Sequence, residues 1–546
     1  MSKTKTYWKG YAEKNNTPDF VNSSHKEFQD KIPVEEFLAD EGIQDLKTGR
    51  RDFLKFMGFS VAAASLASCE APVIKSIPYV NKPEEITPGI ANWYASSFYD
   101  GNNFANLLVK SREGRPIWLK GKKDGFTSGG ITPAISTSVL NLYNSSRLNG
   151  PKKNNEEASW SSIDTEIKNQ LSSIVDNNGS IRILTNTIIS PSTNAAINEF
   201  VSAHSKLDEE GNNQSNIKHV QYDSQSYFGI RQANEKTFGD AFIPTYHFDK
   251  AKTIVSLNAD FISSWLMPTK FALDYSKSRK PENGWMSKHF QFESNYSLTG
   301  ANADYRGRIK PSEEAALASS ILSMLDGGSA KHDFSQDVLT KLSNAVNSLK
   351  ENKGSSLVVS GSNDAHIQAM VNKINFKLGN YGSTINHAQP LNLFNGNDTE
   401  VEQLVNDISA NKIDALIVYN CNPVYSLPNG DKLGEVLTNS KMLKVSFADV
   451  MDETAACCQY VCPDHNYLES WCDLEPTPGH VSLQQPIIRP LYNTRQAQES
   501  FLVWANKANR GGSESKVFYN FIKENWIVNN IGNQSDYITF DEFWNW

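Results

Sequence analysis

The sequence predicts an α/β fold in which two halves each contain a parallel sheet, preceded by a small antiparallel β region. Two observations predict this class. Short apolar, strand-like segments alternate with helical segments between residues 156 and 510, which is the pattern of parallel α/β layers. Before them, two extended segments flank a tight turn within residues 105–120, which is the pattern of an antiparallel hairpin.

The composition excludes several classes of protein. The length of 546 residues suggests about three or four domains at roughly 150 residues each. Hydrophobic residues make up 39% and charged residues 21%, as in ordinary globular chains. The net charge of -8 disfavours a basic nucleic-acid binder, so we expect no nucleic-acid partner. Six cysteines are too few for a disulfide scaffold in a chain of this length.

An export signal is predicted at residues 50–69, after an N-terminal extension at 1–49 that is amphipathic and partly helical. The twin arginines Arg50 and Arg51 precede the short apolar run Phe53–Ala67, and Leu66–Cys69 matches the bacterial lipobox. We therefore expect twin-arginine export and a lipid on Cys69, which places the chain on the periplasmic side of the inner membrane. The alternative is a short buried helix that ends in a cysteine. No apolar run reaches the roughly 18 residues of a spanning helix.

The next two regions are a tether at 70–90 and a β region at 91–155. Four prolines between residues 70 and 90 predict an extended linker. In the β region, Ala105–Lys110 and Pro116–Lys120 are the predicted strands, and Ser111–Arg115 is the turn between them.

The first α/β domain is predicted at 156–350 and the second at 351–510, followed by the start of a further region at 511–546. Helical spacing of Ile163, Ile167, Leu171 and Ile174 predicts the first helix, and Ser190-Pro191-Ser192 predicts the start of another. The predicted strands are 181–185, 219–222, 253–257, 356–360, 415–419 and 443–447, and the other predicted helices are 311–325 and 366–378.

The late cysteines are the obvious metal candidates, but their spacing argues against a cluster. Cys457 and Cys458 are adjacent, and Cys462, His465 and Cys472 follow, which is not a ferredoxin pattern. Cysteines are usually buried as small apolar residues, so packing is the preferred interpretation. A disulfide or a metal site are the two alternatives.

The turn Gly361-Ser362-Asn363 lies between a predicted strand and a predicted helix. A helix N-terminus there could bind a phosphate, but the full glycine-rich pattern is missing. An ordinary helix start capped by Ser or Asn is therefore favoured. We predict no catalytic, cofactor-binding or metal-binding residue in this chain.

Several segments together resemble the molybdopterin oxidoreductase superfamily. They are the hairpin, the loop Leu140–Pro151, the two α/β halves, Asn420-Cys421-Asn422-Pro423, and the stretch from Asp452-Glu453-Thr454-Ala455 through Pro463 to Leu468-Glu469-Ser470. The N-terminal preface, with Tyr7-Trp8 and Thr17-Pro18-Asp19-Phe20, the displaced twin-arginine motif and Tyr94–Phe98 resemble the large iron–sulfur subunit of alternative complex III, a bacterial quinol-oxidising assembly. The resemblance implies a molybdopterin-oxidoreductase-like fold with two Rossmann-like halves and a degenerate cluster-domain-like β region.

This chain also departs from the superfamily. No cysteine lies between Trp93 and Asn106, where the superfamily holds a cluster. The loops that approach the pterin phosphates contain Asp260 and Tyr419 where glycine leads in the superfamily. We therefore expect no molybdopterin. The resemblance implies [4Fe-4S] and [3Fe-4S] clusters in a C-terminal half beyond residue 546 or in a partner chain.

The resulting hypothesis is a cofactor-free scaffold that is not catalytic by itself and that supports electron transfer from menaquinol to haem c. The implied partners are an integral membrane quinol-binding subunit, multihaem cytochrome c subunits and other lipoprotein subunits, and a terminal oxidase is a further partner that the resemblance allows. One alternative is an active molybdopterin-dependent periplasmic oxidoreductase with a divergent site. Another is a solitary lipoprotein that binds a small ligand between its α/β halves.

Overall fold

The computed structural model describes residues 8, 10–18, 20–21, 87, 89–207, 213–214, 216–508 and 515–528. The predictions for Arg50, Arg51 and Cys69, for nearly all of the tether and for residues 529–546 lie outside these residues. One compact unit, Tyr11–Pro88, contains the described helix α1 (Tyr11–Lys14). The other unit comprises Met1–Gly10 and Gly89–Trp546. Within the described ranges, no helix combines the length and apolar character that crossing a bilayer requires.

Twenty strands are described. They are β1 (Asn92–Tyr99), β2 (Phe104–Arg112), β3 (Arg115–Gly121), β4 (Lys152–Lys153), β5 (Glu156–Glu157), β6 (Ile181–Thr185), β7 (Lys206–Leu207), β8 (Asn213–Gln214), β9 (Ile217–Gln221), β10 (Ile243–Tyr246), β11 (Thr253–Leu257), β12 (Lys288–Glu293), β13 (Tyr305–Arg308), β14 (Ser356–Ser360), β15 (Ile385–Leu391), β16 (Ala415–Tyr419), β17 (Leu443–Ser446), β18 (Tyr460–Val461), β19 (Cys472–Thr477) and β20 (His480–Gln484).

The described α-helices after α1 are α2 (Pro133–Thr137), α3 (Trp160–Asp176), α4 (Pro191–Ala203), α5 (Phe228–Phe238), α6 (Pro268–Lys277), α7 (Leu298–Ala301), α8 (Glu314–Leu325), α9 (Gln336–Glu351), α10 (Ala365–Leu378), α11 (Asp398–Ser409), α12 (Pro423–Ser426), α13 (Gly430–Asn439), α14 (Glu453–Ala456), α15 (Ala497–Trp504) and α16 (Val517–Trp526). Short 3-10 helices lie at Ser138–Tyr143, Pro281–Asn283, Pro311–Glu313 and Tyr467–Glu469.

A three-stranded antiparallel sheet, β1-β2-β3, forms the predicted N-terminal β region. The predicted hairpin is confirmed as β2 and β3. Strand β1 was not predicted as a separate strand, because the consecutive residues Ser96 and Ser97 are both polar and both buried, so its sequence shows no alternation of apolar and polar residues. The Ser96 hydroxyl donates a hydrogen bond to the carbonyl oxygen of Gln485 at 3.3 Å, which satisfies its polar group.

Two larger sheets form the centres of the α/β layers. The first has seven strands in the order β5-β4-β18-β17-β16-β6-β9, and the second has four in the order β13-β12-β11-β14. All pairings in the second sheet are parallel, and so are those from β18 to β9 in the first. The remaining pairs are β10 with β15, β19 with β20, and β7 with β8.

The strand pairing crosses the predicted boundary at residues 350 and 351. Strand β14 pairs with β11, and β16 pairs with β6. Each large sheet therefore takes strands from both predicted halves, and the expectation that each half carries its own sheet is wrong. Local periodicity identifies a strand but does not specify a partner that is distant in the chain. The other predicted domain boundaries stay predictions.

Helices cover both faces of the seven-stranded sheet. On one face, α3, α4 and α15 pack against Ile181, Ile183 and Ile417. On the other, α11 and α13 pack against Leu184 and Val418. This three-layer arrangement buries both faces of the parallel strands, which is why those strands are continuously apolar.

Candidate functional site

Both parallel sheets contain a point where the strand order reverses. In the seven-stranded sheet β6 and β16 are neighbours, and the chain continues to β9 on one side and to β17 on the other. In the four-stranded sheet the corresponding neighbours are β11 and β14. Open α/β sheets bind ligands beyond the carboxyl ends of the strands at such points. These two positions are therefore the candidate sites.

A cavity lies at the first of these points. Its volume is about 660 Å³, within the range of small-molecule pockets. Residues that follow β6, β16 and β17 line it, together with the start of α4. Among them are Asn186, Tyr419, Asn420, Phe447 and Gln498. The cavity is thus placed by strand ends, as the reversal of strand order predicts.

The cavity is lined by carboxyl groups. Asp100, Asp449, Asp452 and Asp464 all contribute to its wall, and the described residues around it include no Lys or Arg. Burial raises the pKa of Asp449 and Asp452, and it raises the pKa of Asp464 to about 7. Arg147 lies behind this wall, with its Nε 3.8 Å from an Asp449 oxygen, and the raised pKa values favour the neutral form of these carboxyl groups. The wall therefore offers a phosphate-bearing ligand no Lys or Arg side chain of its own.

The N-terminus of α4, beside the cavity, is occupied by an internal carboxylate. Ser190 and Ser192 donate hydroxyl hydrogen bonds to Asp473 at 2.6 and 2.7 Å. The backbone N–H of Ser192 and the indole N–H of Trp526 also donate to Asp473. A helix N-terminus after a strand is the usual place for a bound phosphate. Here the fully buried side chain of Asp473 accepts those hydrogen bonds instead.

Two further carboxylates in the same region accept hydrogen bonds from backbone N–H groups. Asp464 accepts hydrogen bonds from the backbone N–H groups of His465 and of Ala497, the first residue of α15. Asp223 accepts from Thr187, through both its N–H and its hydroxyl, and from the backbone N–H of Gly396. These bonds leave fewer free N–H groups for an anionic ligand to use.

The second reversal point is closed by packing. A Cβ atom built on Gly361 would lie 2.5 Å from the carbonyl oxygen of Asn258, so the loops after β11 and β14 are in close contact. The Asn258 amide donates to Glu314 at 2.9 Å, and Ser360 donates to the same carboxylate at 2.8 Å. Asp260 accepts from the N–H and the hydroxyl of Thr299. Side chains of the protein thus fill this crevice.

Two asparagines have the backbone conformation usual for glycine. Asn258 after β11 has φ 52°, and Asn420 after β16 has φ 55°. Asparagine tolerates this left-handed region better than most residues. The loops after β11 and β16 therefore turn in the conformation that glycine usually adopts, although their first residues carry side chains.

The late cysteines are dispersed and free. Cys421, Cys457, Cys458, Cys462 and Cys472 form no disulfide, so that alternative is not realised. Three of these cysteines, Cys458, Cys462 and Cys472, are buried. Their burial raises the pKa of each thiol to about 12. In the described part of the chain, no three His, Cys, Asp or Glu side chains are grouped as metal ligands would be.

The Gly361–Asn363 turn is a helix start, as favoured, but its cap is different. Asp364, not Ser or Asn, accepts the hydrogen bond from the His366 N–H at 2.7 Å and caps α10. The Asn363 side chain accepts instead from the Gly229 N–H. The correction is small, because Asp, Ser and Asn serve equally well as caps.

Two segments quoted for the family resemblance meet in space. The hydroxyl of Thr454 donates to the Asn422 amide oxygen at 2.7 Å, and the Asn422 amide N–H donates to Glu453. Asp452 caps the short helix α14. Tyr419 lines the cavity, and its hydroxyl accepts a hydrogen bond from Gln498 at 3.0 Å. Asp260, in contrast, lies at the second reversal point, where it accepts hydrogen bonds from Thr299.

Sequence reasoning did not single out Asp464 or Asp473. The start of α4 was predicted from Ser190-Pro191-Ser192, and a buried helix start needs an acceptor for its N–H groups. The presence of some acceptor at this helix start could therefore have been predicted from the sequence. Nothing in the local sequence indicated that Asp473, so distant in the chain, would meet it.

Comparisons with known proteins come from both sequence and structure. No family model matches the chain. A 98-residue stretch is 37% identical to the menaquinone reductase, molybdopterin-binding-like subunit of Nitratidesulfovibrio vulgaris; it covers 17% of this chain and only 14% of that relative. The structure is similar to acetylene hydratase from Pelobacter acetylenicus, with a TM-score of 0.56 and 11% identity, over 76% of this chain and 69% of that protein. The predicted fold class is thereby confirmed: the chain has a mixed α/β architecture with parallel and antiparallel sheets, similar to that of acetylene hydratase.

Proposed function

We propose that this chain is a cofactor-free structural subunit of a membrane-bound, quinone-linked oxidoreductase. Its partner subunits carry out the electron transfer, and this chain supports them. The finer assignment, from the sequence resemblance, is the molybdopterin-like half of the large iron–sulfur subunit of alternative complex III. In that assembly electrons pass from menaquinol, through iron–sulfur clusters outside these residues, to haem c.

One observation carries the proposal: an internal carboxylate, Asp473, accepts hydrogen bonds at the start of α4, a helix start of the kind that usually binds a phosphate. At this helix start Asp473 accepts hydrogen bonds from the Ser192 N–H and from the hydroxyls of Ser190 and Ser192, while the Thr193 N–H donates to the Ser190 hydroxyl oxygen. Asp449, Asp452 and Asp464 line the cavity beside it. An anionic pterin phosphate would find these N–H and hydroxyl groups already bonded to the protein, and no Lys or Arg on the cavity lining. The residues present do not fit molybdopterin.

The name of the sequence relative supports the link to quinones. That relative is a subunit of a menaquinone reductase and is called molybdopterin-binding-like. A multi-subunit complex of this kind needs membrane partners that bind the quinone. The proposed partners are therefore an integral membrane quinol-binding subunit, multihaem cytochrome c subunits and other lipoproteins. The proposed location is the periplasmic surface of the inner membrane, with a lipid on Cys69.

The test is purification of the affinity-tagged full chain from detergent-solubilised native membranes. The proposal expects stoichiometric recovery of an integral membrane subunit and of c-type haem, visible in the absorption spectrum. Recovery of the chain alone under mild detergent would contradict it. A tagged, unrelated periplasmic lipoprotein, purified in parallel, shows how much haem is carried over without specific binding.

A further inference from the structure

The outer surface of the β1-β2-β3 sheet carries an aromatic and basic face. In the strand register Lys110 of β2 lies between Trp93 of β1 and Trp118 of β3. In the next row, Leu108 lies beside Lys120. Arg112 follows on the same side of β2, because alternate residues share a face. We call Trp93, Leu108, Lys110, Arg112, Trp118 and Lys120 the Trp–Lys face.

The two indole rings and the ammonium group form a compact unit. The ring centroids of Trp93 and Trp118 are 5.8 Å apart at an interplanar angle of 61°. The Lys110 Nζ lies 5.9 Å from each ring centroid. Both distances are within the range of a cation–π contact. The two tryptophans nevertheless remain 42% and 49% exposed, so a large part of each is still available for contact.

The charge of this sheet is opposite to that of the whole protein. Its three strands contain the four basic residues Lys110, Arg112, Arg115 and Lys120 and no acidic residue. The chain as a whole has a net charge of -8. A positive face on an acidic protein fixes which side can approach a negatively charged surface.

The exposed aromatic residues of this sheet are paired with each other and lie beside basic side chains. Elsewhere Tyr296, Phe376 and Tyr425 are exposed and no ring pairing joins them, whereas Phe238 is 43% exposed and packs against Phe242 and Tyr381. On the Trp–Lys face two tryptophans are paired, and Ile117 and Tyr143 are exposed nearby, the latter donating a hydrogen bond to Pro116. Contiguous exposed apolar surface of this kind marks an interaction site.

We propose that the Trp–Lys face rests on a membrane surface that carries anionic lipid headgroups. Tryptophan is favoured at the boundary between headgroups and acyl chains, and lysine and arginine beside it are attracted to negative headgroups. Charge complementarity therefore selects this surface. The sheet begins at Asn92, soon after the predicted lipid site Cys69, so the two contacts can act on the same membrane.

The experiment uses the full chain with Cys69→Ser, so that vesicle binding does not depend on a lipid anchor or on the proposed partners. Vesicles of phosphatidylglycerol and phosphatidylcholine are compared in sedimentation with vesicles of phosphatidylcholine alone. The chain is expected to sediment with the anionic vesicles and to be released by high salt, which screens exposed charges. Lys110→Ser with Trp118→Ser is expected to weaken this binding by about tenfold or more.

The matched control is Lys373→Ser with Phe376→Ser on α10, which removes one exposed lysine and a phenylalanine that is 74% exposed. It should bind as the parent does. If Trp118→Ser alters the circular-dichroism melting curve, Lys110→Ser with Lys120→Ser takes its place. The proposal is overturned by absent binding to anionic vesicles, by equal binding to neutral vesicles, or by a face variant that binds like the parent. Loss of copurifying subunits without any vesicle binding would assign the face to a protein partner instead.

Discussion

Buried aspartates are the residues that set the character of the candidate site. Asp473, Asp464 and Asp223 each accept two or more hydrogen bonds from backbone or hydroxyl donors. Hydrogen bonds to charged acceptors are stronger than neutral ones. These side chains therefore stabilise the loops around the cavity and at the same time occupy N–H and hydroxyl donors that an anionic ligand would otherwise use.

Asp473→Asn should destabilise the protein. The carboxylate accepts hydrogen bonds from Ser190, Ser192 and Trp526, and an amide would point N–H groups at these donors. We expect a loss of about 2–4 kcal/mol in the free energy of unfolding, measured by urea denaturation. The control is Asp364→Asn, an exposed cap, with an expected cost below about 1 kcal/mol. Equal effects of the two variants would contradict the role of Asp473.

Asp464→Asn should change how stability depends on pH. Burial raises the pKa of Asp464 from 3.8 to about 7, so between these values the folded chain holds a proton that the unfolded chain has released. Stability contributed by this group therefore falls as pH rises from about 4 to about 7 and is level above that. Asparagine keeps the acceptor oxygen without the charge. The melting temperature of the variant relative to the parent should rise across this interval.

The control for this pH series is Asp124→Asn. Asp124 is fully exposed, and a hydrogen bond from Lys122 lowers its pKa, so its replacement should produce no rise in relative melting temperature. A difference between Asp464→Asn and the parent that stays constant from pH 4 to pH 8 would contradict the assignment.

At the scale of elements, the two points of strand reversal differ in how the loops pack. The loops after β6 and β16 leave a cavity of about 660 Å³. The loops after β11 and β14 are in contact, because Gly361 lets its backbone approach Asn258. A single glycine therefore helps to close the second crevice.

Gly361→Ala should destabilise this contact. The new methyl group would lie 2.5 Å from the carbonyl oxygen of Asn258, and the two loops would have to separate. We expect a cost of about 1–3 kcal/mol, as for other overpacked sites, measured by chemical denaturation. Gly150→Ala is the matched control, since its nearest neighbour would lie 3.5 Å away. A Gly361→Ala variant as stable as the control would show that the crevice is open.

Most elements could be predicted from the sequence, but their pairing could not. The buried strands β6, β11, β14 and β16 were predictable because parallel strands covered on both faces are continuously apolar. Strand β1 was missed because serines occupy its buried positions. The carboxylate at the start of α4 was missed because Asp473 is distant in the chain and nothing local specifies that contact.

At the scale of the whole molecule, the fold is similar to that of acetylene hydratase, whereas the site chemistry differs from that of a phosphate-binding crevice. The fold alone does not determine activity. The acidic cavity and the filled crevice both support a scaffold role. The proposed membrane attachment then has two components, a lipid on Cys69 and the Trp–Lys face.

Cys69→Ala is expected to release the chain from membranes in cells that lack its partner subunits. A single charged face gives weaker and salt-sensitive attachment than a lipid anchor does. The measurement is fractionation of the membranes after a high-salt wash, with the parent chain as control. Retention of the variant after the wash would mean that the lipid is not the main anchor.

The most direct test of the central claim is elemental and pterin analysis of the full chain, purified from its native membranes. Molybdenum and tungsten are measured by mass spectrometry, and pterin by fluorescence after oxidation. We expect neither metal nor pterin in stoichiometric amount. One molybdenum or tungsten atom with its pterin per chain would contradict the cofactor-free scaffold and identify the chain as an active molybdopterin oxidoreductase.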